Sequence, residues 1–391
     1  MNSSYITHLE CTYCGEKYSC DELHTVCIKC GKVLYPRYDL EKAKETLTKS
    51  NIQSRNRFDI WRLHEIMPVK KDENRLTLGE GWTPTIKLSN LGAQFGLENL
   101  YIKDEGQNPT ATFKSRGLCA AVAKNLELGA KEFVIPTAGN AGAALAAYTA
   151  HAGVNSHIFA PADTDAFIQA EMKAMGAELT LVEGLITDAG AQAKKVGKAN
   201  GWFDVSTLKE PYRVEGKKTM GLELAETFKW ELPDVIVYPT GGGTGIVGMW
   251  KAFNELEEMG LIGNDRPKMV AVQPSGCQPI IRAFENGDKH ATPWECAESI
   301  FGGIRVPAAI GDYLILQAIR GSKGTAIAVS DEEIKDAMFL LAKKEGIMIA
   351  GEAAATVATA LKLSENGFID KSDKIILFGT GSGLTTPSLW N

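Results

Sequence analysis

The stretch NPTATFKSRG, residues 108–117, places Lys114 after a turn that contains proline and before an alanine-rich run at 118–123. This pattern predicts that Lys114 opens a helix, with the stem of its side chain against Phe113. A lysine amine that is partly removed from water is more easily kept uncharged, and an uncharged amine can form an imine with an aldehyde. Most lysines are simply exposed on the surface, so the function of Lys114 depends on what the rest of the chain provides.

The composition is that of a globular protein without a strong charge bias. The chain has 391 residues, of which 44% are hydrophobic and 23% charged, and its formal net charge is −6. This length allows two substantial cores and an appendage. Without a basic field or an apolar run of membrane-spanning length, neither nucleic acid nor membrane is an expected partner. The first residues contain no basic segment followed by an apolar one, so we expect a cytoplasmic protein.

Five of the eight cysteines lie within the first 30 residues, and four of them form two matching Cys-x-x-Cys-Gly segments. Four thiolates in two tight turns suit a tetrahedral zinc ion, and such a closed site leaves no open position for substrate. We therefore predict a structural zinc site. The alternative is a set of free or partly oxidised cysteines in a ribbon that no longer binds metal. The predicted ligands are Cys11, Cys14, Cys27 and Cys30.

Strand-like and helical patterns alternate along most of the chain, which predicts an α/β fold with largely parallel sheets. In such folds ligands gather at the C-terminal ends of the strands. The strand-like runs are 99–105, 132–136, 157–160, 178–182, 202–205, 234–238, 269–272, 326–329 and 374–378.

The loop TAGNAG at 137–142 follows one of these strands and opens a helix of small residues. Free amides at a helix start can bind a carboxylate, and the side-chain amide of Asn140 can bond a phenolic oxygen. The alternative is a tight packing turn without a ligand.

The loop TGGGTG at 240–245 follows the strongest strand of the chain and precedes a helix. Its glycines let the backbone wrap closely around a tetrahedral anion, so we predict a phosphate site here. Gly243, Gly245 and Gly248 also match a dinucleotide fingerprint. The next strand, however, leads into 273–274 without the acidic residue that would hold a ribose, which disfavours a nucleotide.

Two further segments carry polar groups that suit a ligand. The stretch 210–219 concentrates Arg213, Lys217 and Lys218, and an arginine can bind a phosphate in bidentate fashion. The alternative is a solvated, charged start of a helix. After the last strand, Thr380 offers a hydroxyl to which a ring nitrogen can bond.

These motifs, in this order, resemble the tryptophan synthase β-like family, the fold type II enzymes that use pyridoxal 5'-phosphate. Within that family the chain resembles the threonine synthases, and the segment GEGWTP at 79–84 adds to the match. The resemblance implies two parallel-sheet α/β domains and an N-terminal zinc-ribbon-like segment, 1–45. A large domain would join 46–105 to 205–391, and 106–204 would form a small, mobile domain. It also implies a homodimer.

The resemblance assigns a role to each motif. Lys114, next to Phe113, is implied to form the Schiff base with the cofactor. Asn140 would contact the phenolic oxygen of the cofactor, and Thr380 would face its pyridine nitrogen. The residues implied to hold the cofactor phosphate are Gly241, Gly242, Gly243, Thr244 and Gly245. The residues implied to bind substrate are Thr137, Ala138, Gly139, Asn140 and Ala141 at its carboxylate, and Arg213 with Lys217 or Lys218 at its phosphate.

The implied reaction is that of a lyase that converts O-phosphohomoserine and water to L-threonine and phosphate. The chain departs from the family pattern in places. The asparagine loop often reads STGNT in the family and reads TAGNA here, at 137–141, and the usual PEG near the C-terminus has become GEA at 351–353. A cysteate synthase-like enzyme acting on O-phosphoserine, or a threonine or serine dehydratase, therefore stays an alternative.

Overall fold

The computed structural model describes residues 3–137, 139–184 and 186–390. None of the helices in these ranges is both long enough and apolar enough to cross a bilayer. The strands are β1 (Ile6–Cys11), β2 (Lys17–Tyr18), β3 (Leu34–Tyr38), β4 (Thr85–Lys87), β5 (Asn99–Asp104), β6 (Phe133–Pro136), β7 (Ser156–Pro161), β8 (Glu178–Val182), β9 (Phe203–Asp204), β10 (Val235–Pro239), β11 (Lys268–Pro274), β12 (Thr325–Val329) and β13 (Lys374–Gly379). The α-helices are α1 (Leu40–Thr46), α2 (Lys49–Gln53), α3 (Ser89–Phe95), α4 (Lys114–Glu127), α5 (Asn140–Ala152), α6 (Ala166–Ala174), α7 (Ile186–Asn200), α8 (Arg213–Thr227), α9 (Thr244–Glu258), α10 (Pro279–Glu285), α11 (Asp312–Gly321), α12 (Asp331–Glu345) and α13 (Gly351–Glu365).

The strands form three sheets. The N-terminal sheet has the order β2-β1-β3 and is antiparallel. The largest sheet has the order β12-β11-β10-β13-β5-β4 and is parallel except for β4 at its edge. The third sheet, β8-β7-β6-β9, is parallel throughout. The predicted α/β fold with largely parallel sheets is therefore confirmed.

The strand order of the largest sheet brings distant motifs together. Strand β13 pairs in parallel with β10 on one side and with β5 on the other. The carboxyl ends of these three strands therefore lie at the same edge of the sheet. The segments that leave this edge are the glycine-rich loop after β10, the segment at Thr380 after β13, and the stretch after β5 that leads to Lys114. All three segments were predicted from the sequence to bind a ligand.

Helices α4 and α8 cross in direct backbone contact. A Cβ atom at Gly216 would overlap the carbonyl of Arg116, so only glycine permits this approach. The crossing brings the first turns of the two helices together, because Gly216 lies three residues after the start of α8 and Arg116 two residues after the start of α4. The start of α8 is thereby held beside Lys114.

A buried ion network fixes the same region. The Arg116 guanidinium donates to both oxygens of Glu105, at 2.6 and 2.8 Å, and also to both oxygens of Glu223. Lys103 adds a contact of 2.7 Å to Glu223. All four side chains are almost completely buried. Removing one member of such a network leaves an uncompensated charge, at a cost of about 3–5 kcal/mol.

The N-terminal sheet packs on α8 and α9. The Tyr38 hydroxyl on β3 donates to Glu215 on α8, at 2.6 Å. Glu215 belongs to a second buried cluster, with Lys218, Lys251 and Glu255. The apolar side chains of the N-terminal sheet and of these two helices form one continuous core. The N-terminal segment therefore packs against α8 and α9, the two helices that begin at candidate ligand-binding segments.

Candidate active site

Lys114 is the first residue of α4, as predicted, and its side chain is partly buried. Its Nζ lies 4.2 Å from the centroid of the Phe113 ring. Burial lowers the pKa of Lys114 to about 8; the charge of Arg213 acts in the same direction and that of Glu352 opposes it. About one tenth of the amine is therefore uncharged at pH 7 and about half near pH 8, and the uncharged form is the one that attacks an aldehyde.

The loop before Lys114 is held in an unusual backbone conformation. Thr110 and Ala111 have φ values of 57° and 52°, in the left-handed region that costs a residue with a Cβ about 1–2 kcal/mol. The loop is fixed by hydrogen bonds of 2.9 Å from the Ala111 N–H to the Asn108 carbonyl and from the Ser382 N–H to the Ala111 carbonyl. Such strain is concentrated at functional sites.

Thr380 lies next to the Lys114 segment. The Phe113 N–H donates to the Thr380 carbonyl at 3.0 Å, and Thr112 forms an antiparallel bridge with Gly381. The Thr380 side chain is buried. The structure thus brings this predicted ring-nitrogen contact to the same place as the predicted Schiff-base lysine.

The loop 241–245 forms a cradle at the start of α9. In the part of the chain that the structure describes, none of its backbone N–H groups donates a hydrogen bond. Gly243 has a φ of 76°, and a Cβ at Gly245 would overlap the hydroxyl of Tyr238. Free amides at a helix N-terminus, with no side chain in the way, fit a phosphate group.

Asn140 opens α5, which follows β6 of the third sheet. Its side-chain Oδ1 is buried and has no hydrogen-bond partner among the described residues. Because buried polar atoms are normally paired, this side-chain amide fits a group that a ligand supplies. In the same loop, the Gly139 N–H donates to Thr137 Oγ1 at 3.2 Å, and Ala141 is buried in the first turn of α5. Ala138 lies outside the described residues.

Three features of the site fit pyridoxal phosphate: the cradle at 241–245, Asn140 and Lys114. The cradle offers unpaired backbone amides to a phosphate, Asn140 has a buried side-chain amide whose oxygen is unpaired, and the pKa of Lys114 is lowered to about 8. The backbone amides suit the cofactor phosphate and the lowered amine pKa suits its aldehyde.

Arg213 is the first residue of α8 and is 2% exposed. One nitrogen donates to the Val205 carbonyl at 2.7 Å, whereas its buried Nε has no partner among the described residues. Burial lowers the pKa of Arg213 to about 10, against the opposing charges of Glu210 and Asp204. No carboxylate in the described ranges forms an ion pair with this guanidinium. A buried cation in this state fits an incoming anion.

The two lysines after Arg213 face different surroundings. Lys217 is fully buried and its amine donates to the Phe113 carbonyl. Lys218 instead contacts the Ile66 carbonyl at 2.5 Å, Glu215 at 2.6 Å and Glu255 at 2.8 Å. These three contacts use all three donors of its ammonium group. The structure therefore does not bring Lys218 to the site as a group free to bind a phosphate.

Glu352 is a charged neighbour of Lys114 that the sequence did not assign to the site. It lies in the first turn of α13 and accepts a hydrogen bond of 2.9 Å from the Gly303 N–H. The start of α13 is attached to the segment after Thr380, because the Ala350 N–H donates to the Gly381 carbonyl at 2.8 Å. The departure from the family pattern at 351–353 was the one signal that pointed to it.

The four predicted metal ligands lie together in the N-terminal segment. The sulfur atoms of Cys11, Cys14, Cys27 and Cys30 are all within 4.8 Å of one another, and three of the separations are 3.4–3.6 Å. Tetrahedral zinc with Zn–S bonds of about 2.3 Å places its sulfurs about 3.8 Å apart. The cluster therefore fits zinc.

Comparison with known proteins identifies the family of this chain. Residues 76–381 match the model of the pyridoxal-phosphate dependent enzyme family. The threonine synthase of Methanocaldococcus jannaschii is 35% identical over 96% of this chain and 92% of its own length. That of Methanosarcina acetivorans is 35% identical over 97% and 92%, and that of Mycobacterium bovis is 32% identical over 82% and 86%.

Solved structures show the same fold. Maize serine racemase superposes with a TM-score of 0.69 at 23% identity, over 79% of this chain and 90% of its own. The fungal L-serine ammonia-lyase from Rhizomucor miehei gives 0.65 at 22% identity, over 77% and 93%. The sequence-based assignment is confirmed: the chain belongs to the fold type II family of pyridoxal-phosphate dependent enzymes and is similar to threonine synthases over nearly its whole length.

Proposed function

We propose that the chain is a threonine synthase, a lyase that converts O-phosphohomoserine and water to L-threonine and phosphate. Its similarity to proteins of that name supports the proposal. The observation that carries it is the buried Arg213 guanidinium, which has no ion-pair partner among the described residues and lies close to Lys114. A phosphorylated substrate would supply the missing anion, whereas threonine and serine, the substrates of a dehydratase, would not.

The cofactor, when bound, supplies an aldehyde that captures an amine and a conjugated ring that accepts electrons from the substrate Cα. In our proposal the amides of Gly241 to Gly245 hold its phosphate at the start of α9, and Phe113 supports the lysine that captures it. Asn140 bonds the phenolic oxygen. Thr380 offers the ring nitrogen a neutral hydroxyl, which does not stabilise a proton there as a carboxylate would. A neutral hydroxyl at the ring nitrogen suits elimination and replacement at the substrate side chain more than transamination.

Lys114 moves the protons. With substrate in the site, the Lys114 amine would accept the proton from Cα, since its pKa is lowered to about 8. Lys114 would next accept a proton from Cβ as the bond between Cγ and the phosphate breaks. Return of protons to Cγ and Cα, together with the hydroxyl that water adds at Cβ, would then complete L-threonine. Both proton abstractions need an amine that is uncharged in part of the population near neutral pH.

The N-termini of two helices bind the two anionic groups of the substrate. The loop from Thr137 to Ala141 binds the substrate carboxylate through the N–H groups of Asn140 and Ala141 at the start of α5, since the Thr137 and Gly139 N–H groups already donate hydrogen bonds within the chain. Arg213, at the start of α8, binds the phosphate in bidentate fashion. Among the basic residues of this segment, Arg213 combines burial with an unpaired nitrogen.

We also propose that residues 106–204 form a small domain that closes on the substrate, against a large domain of 46–105 and 205–391. The strands at 133–204 form a sheet of their own, which supports this division. The family resemblance further favours a homodimer that works in the cytoplasm on a small-molecule substrate, without nucleic acid.

The test is to incubate the purified holoenzyme separately with four substrate sets and to quantify phosphate, keto acid and amino acid. The sets are O-phosphohomoserine, L-threonine, L-serine, and O-phosphoserine with sulfite. We expect threonine and phosphate in equal amounts from the first set only. Absence of threonine from O-phosphohomoserine would contradict the proposal. Cysteate from the fourth set, or keto acid from the second or third, would instead identify one of the alternative enzymes.

A further inference from the structure

Lys217 is a buried amine that the proposed reaction does not use. It lies on the second turn of α8 and is 0% exposed. In the described ranges no carboxylate forms an ion pair with it, and the hydrogen bond of its amine goes to the Phe113 carbonyl. A fully buried lysine without an acidic partner is rare, and it is costly unless the amine is uncharged.

The Lys217 side chain is held tightly between two helices. A Cβ at Gly117 on α4 would lie 2.9 Å from its Cε, and a Cβ at Gly248 on α9 would lie 2.9 Å from its Cβ. Its Nζ lies 4.2 Å from the centroid of the Phe113 ring, the same distance as Lys114 Nζ. The amine therefore has little freedom to leave the Phe113 carbonyl.

The surroundings of Lys217 oppose a positive charge. Burial is the largest cause, and the charges of Lys114 and Arg116 on α4 and of Arg213 on its own helix act in the same direction. The charge of Glu105 opposes them. The pKa of Lys217 is held well below its ordinary value. An uncharged amine can still donate one N–H to a carbonyl oxygen.

Both backbone polar groups of Phe113 are consequently hydrogen-bonded. Its N–H donates to the Thr380 carbonyl at 3.0 Å, and its carbonyl accepts from Lys217. Its ring also packs edge-on against Tyr238, at 6.1 Å between centroids. Because Lys114 is the next residue, these contacts fix the backbone from which its side chain extends.

We propose that Lys217 is a positioning residue, which holds the Phe113 carbonyl and so fixes the Lys114 amine, and that it acts as a hydrogen-bond donor without carrying a charge. The proposal rests on the family assignment of Lys114 as the cofactor lysine, but not on the identity of the substrate. It replaces the sequence-based expectation that Lys217 binds a substrate phosphate. It also connects the start of α8, where Arg213 lies, to the reacting amine.

Two substitutions distinguish whether Lys217 acts as a hydrogen-bond donor or as a positive charge. Lys217→Gln keeps an uncharged donor, whereas Lys217→Met keeps the bulk without a donor. The first readout is the absorbance of the bound cofactor across pH, without substrate. We expect the midpoint of this transition to shift in Lys217→Met by about 0.5 pH unit or more and to stay near wild type in Lys217→Gln.

The second readout is steady-state kinetics with whichever phosphorylated substrate the enzyme accepts. We expect kcat of Lys217→Met to fall about tenfold or more with little change in KM, because misplacing a reacting group slows the chemical step. Lys217→Gln should retain most of kcat. The exposed Lys335→Met serves as the matched control.

Two results would overturn the proposal. One is a Lys217→Met holoenzyme whose spectrum and kcat match wild type. The other is a Lys217→Gln enzyme with normal spectrum and kcat but a KM raised about tenfold, which would mean that the charge binds substrate. Thermal unfolding checks that each variant is folded. If Lys217→Met does not fold, Lys217→Gln alone decides, since retention of spectrum, kcat and KM supports the donor role and loss of any of them contradicts it.

Discussion

The backbone N–H of Phe113 donates a hydrogen bond to the carbonyl oxygen of Thr380, with 3.0 Å between nitrogen and oxygen. The two residues are far apart in sequence, but they follow β5 and β13, which are neighbours in the sheet. The lysine that is expected to capture the cofactor and the hydroxyl that is expected to face its ring are thereby held together by a backbone hydrogen bond. A site prepared in this way loses little conformational freedom when the cofactor binds.

The rate at which the apoenzyme binds pyridoxal phosphate should depend on the pKa of Lys114. This pKa is lowered to about 8, and only the uncharged amine attacks an aldehyde. About one tenth of the amine is uncharged at pH 7, half near pH 8 and most of it at pH 9. The rate should therefore rise with pH to a midpoint near 8 and then level off, as followed by absorbance in a stopped-flow instrument.

Lys114→Ala is the control for this measurement. It should show no absorbance change from cofactor capture and no activity. A midpoint near the ordinary lysine value of about 10.5 would contradict the assignment. So would persistence of the cofactor absorbance band in the variant.

Much of this site could be predicted from the sequence because its parts follow parallel strands. Lys114, the loop 241–245 and Thr380 each stand after a strand-like run of the largest sheet, where the carboxyl ends of paired parallel strands meet at one edge. Asn140 likewise follows a strand-like run, in the third sheet. Which strands are neighbours was not readable from their patterns. The order that places β13 between β5 and β10 therefore came from the structure.

The separate environments of Lys217 and Lys218 could not be predicted. Consecutive residues on a helix point about 100° apart, so one faces α4 and the other the N-terminal sheet. Only the packing of α8 against both neighbours decides which lysine reaches Phe113. Glu352 was missed for a similar reason, since its helix is connected to Thr380 by backbone bonds between residues distant from the motifs.

Gly245→Ala should disrupt the cofactor phosphate cradle. The added Cβ would overlap the hydroxyl of Tyr238, which is fully buried and has little room to move. We expect a loss of about 1–3 kcal/mol in the free energy of unfolding and weaker cofactor binding, as measured by denaturant unfolding and by cofactor titration. Gly263→Ala is the control, because a Cβ there meets no atom within 4 Å. Equal behaviour of the two variants would exclude a close-packed cradle.

Arg213→Met should reduce activity without reducing stability. The guanidinium is buried and lacks an ion-pair partner among the described residues, so replacing it by an apolar side chain should not lower the melting temperature of the ligand-free protein. The same change should reduce kcat/KM for the phosphorylated substrate by about 10–100-fold through the loss of charge-assisted hydrogen bonds. The cofactor spectrum should be unchanged.

Inorganic phosphate gives this prediction a second measurement. It should raise the melting temperature of the wild-type holoenzyme and leave that of Arg213→Met unaffected, since a ligand stabilises only the protein that binds it. An equal shift in both proteins would show that the anion binds elsewhere. The half-exposed Arg37→Met, on the N-terminal sheet, is the control for loss of a positive charge.

Removing metal from the four-cysteine cluster should destabilise the whole chain, because the N-terminal sheet shares a core with α8 and α9 and Tyr38 bonds Glu215. Zinc sites of this kind contribute directly to folding. We expect a chelator, or Cys27→Ser, to lower the melting temperature by about 5 °C or more, in a single transition, and to weaken cofactor binding. Metal content should be one zinc per chain by mass spectrometry. The exposed Cys296→Ser is the control. A metal-free protein with an unchanged melting temperature would mean that the ribbon holds its position through packing alone.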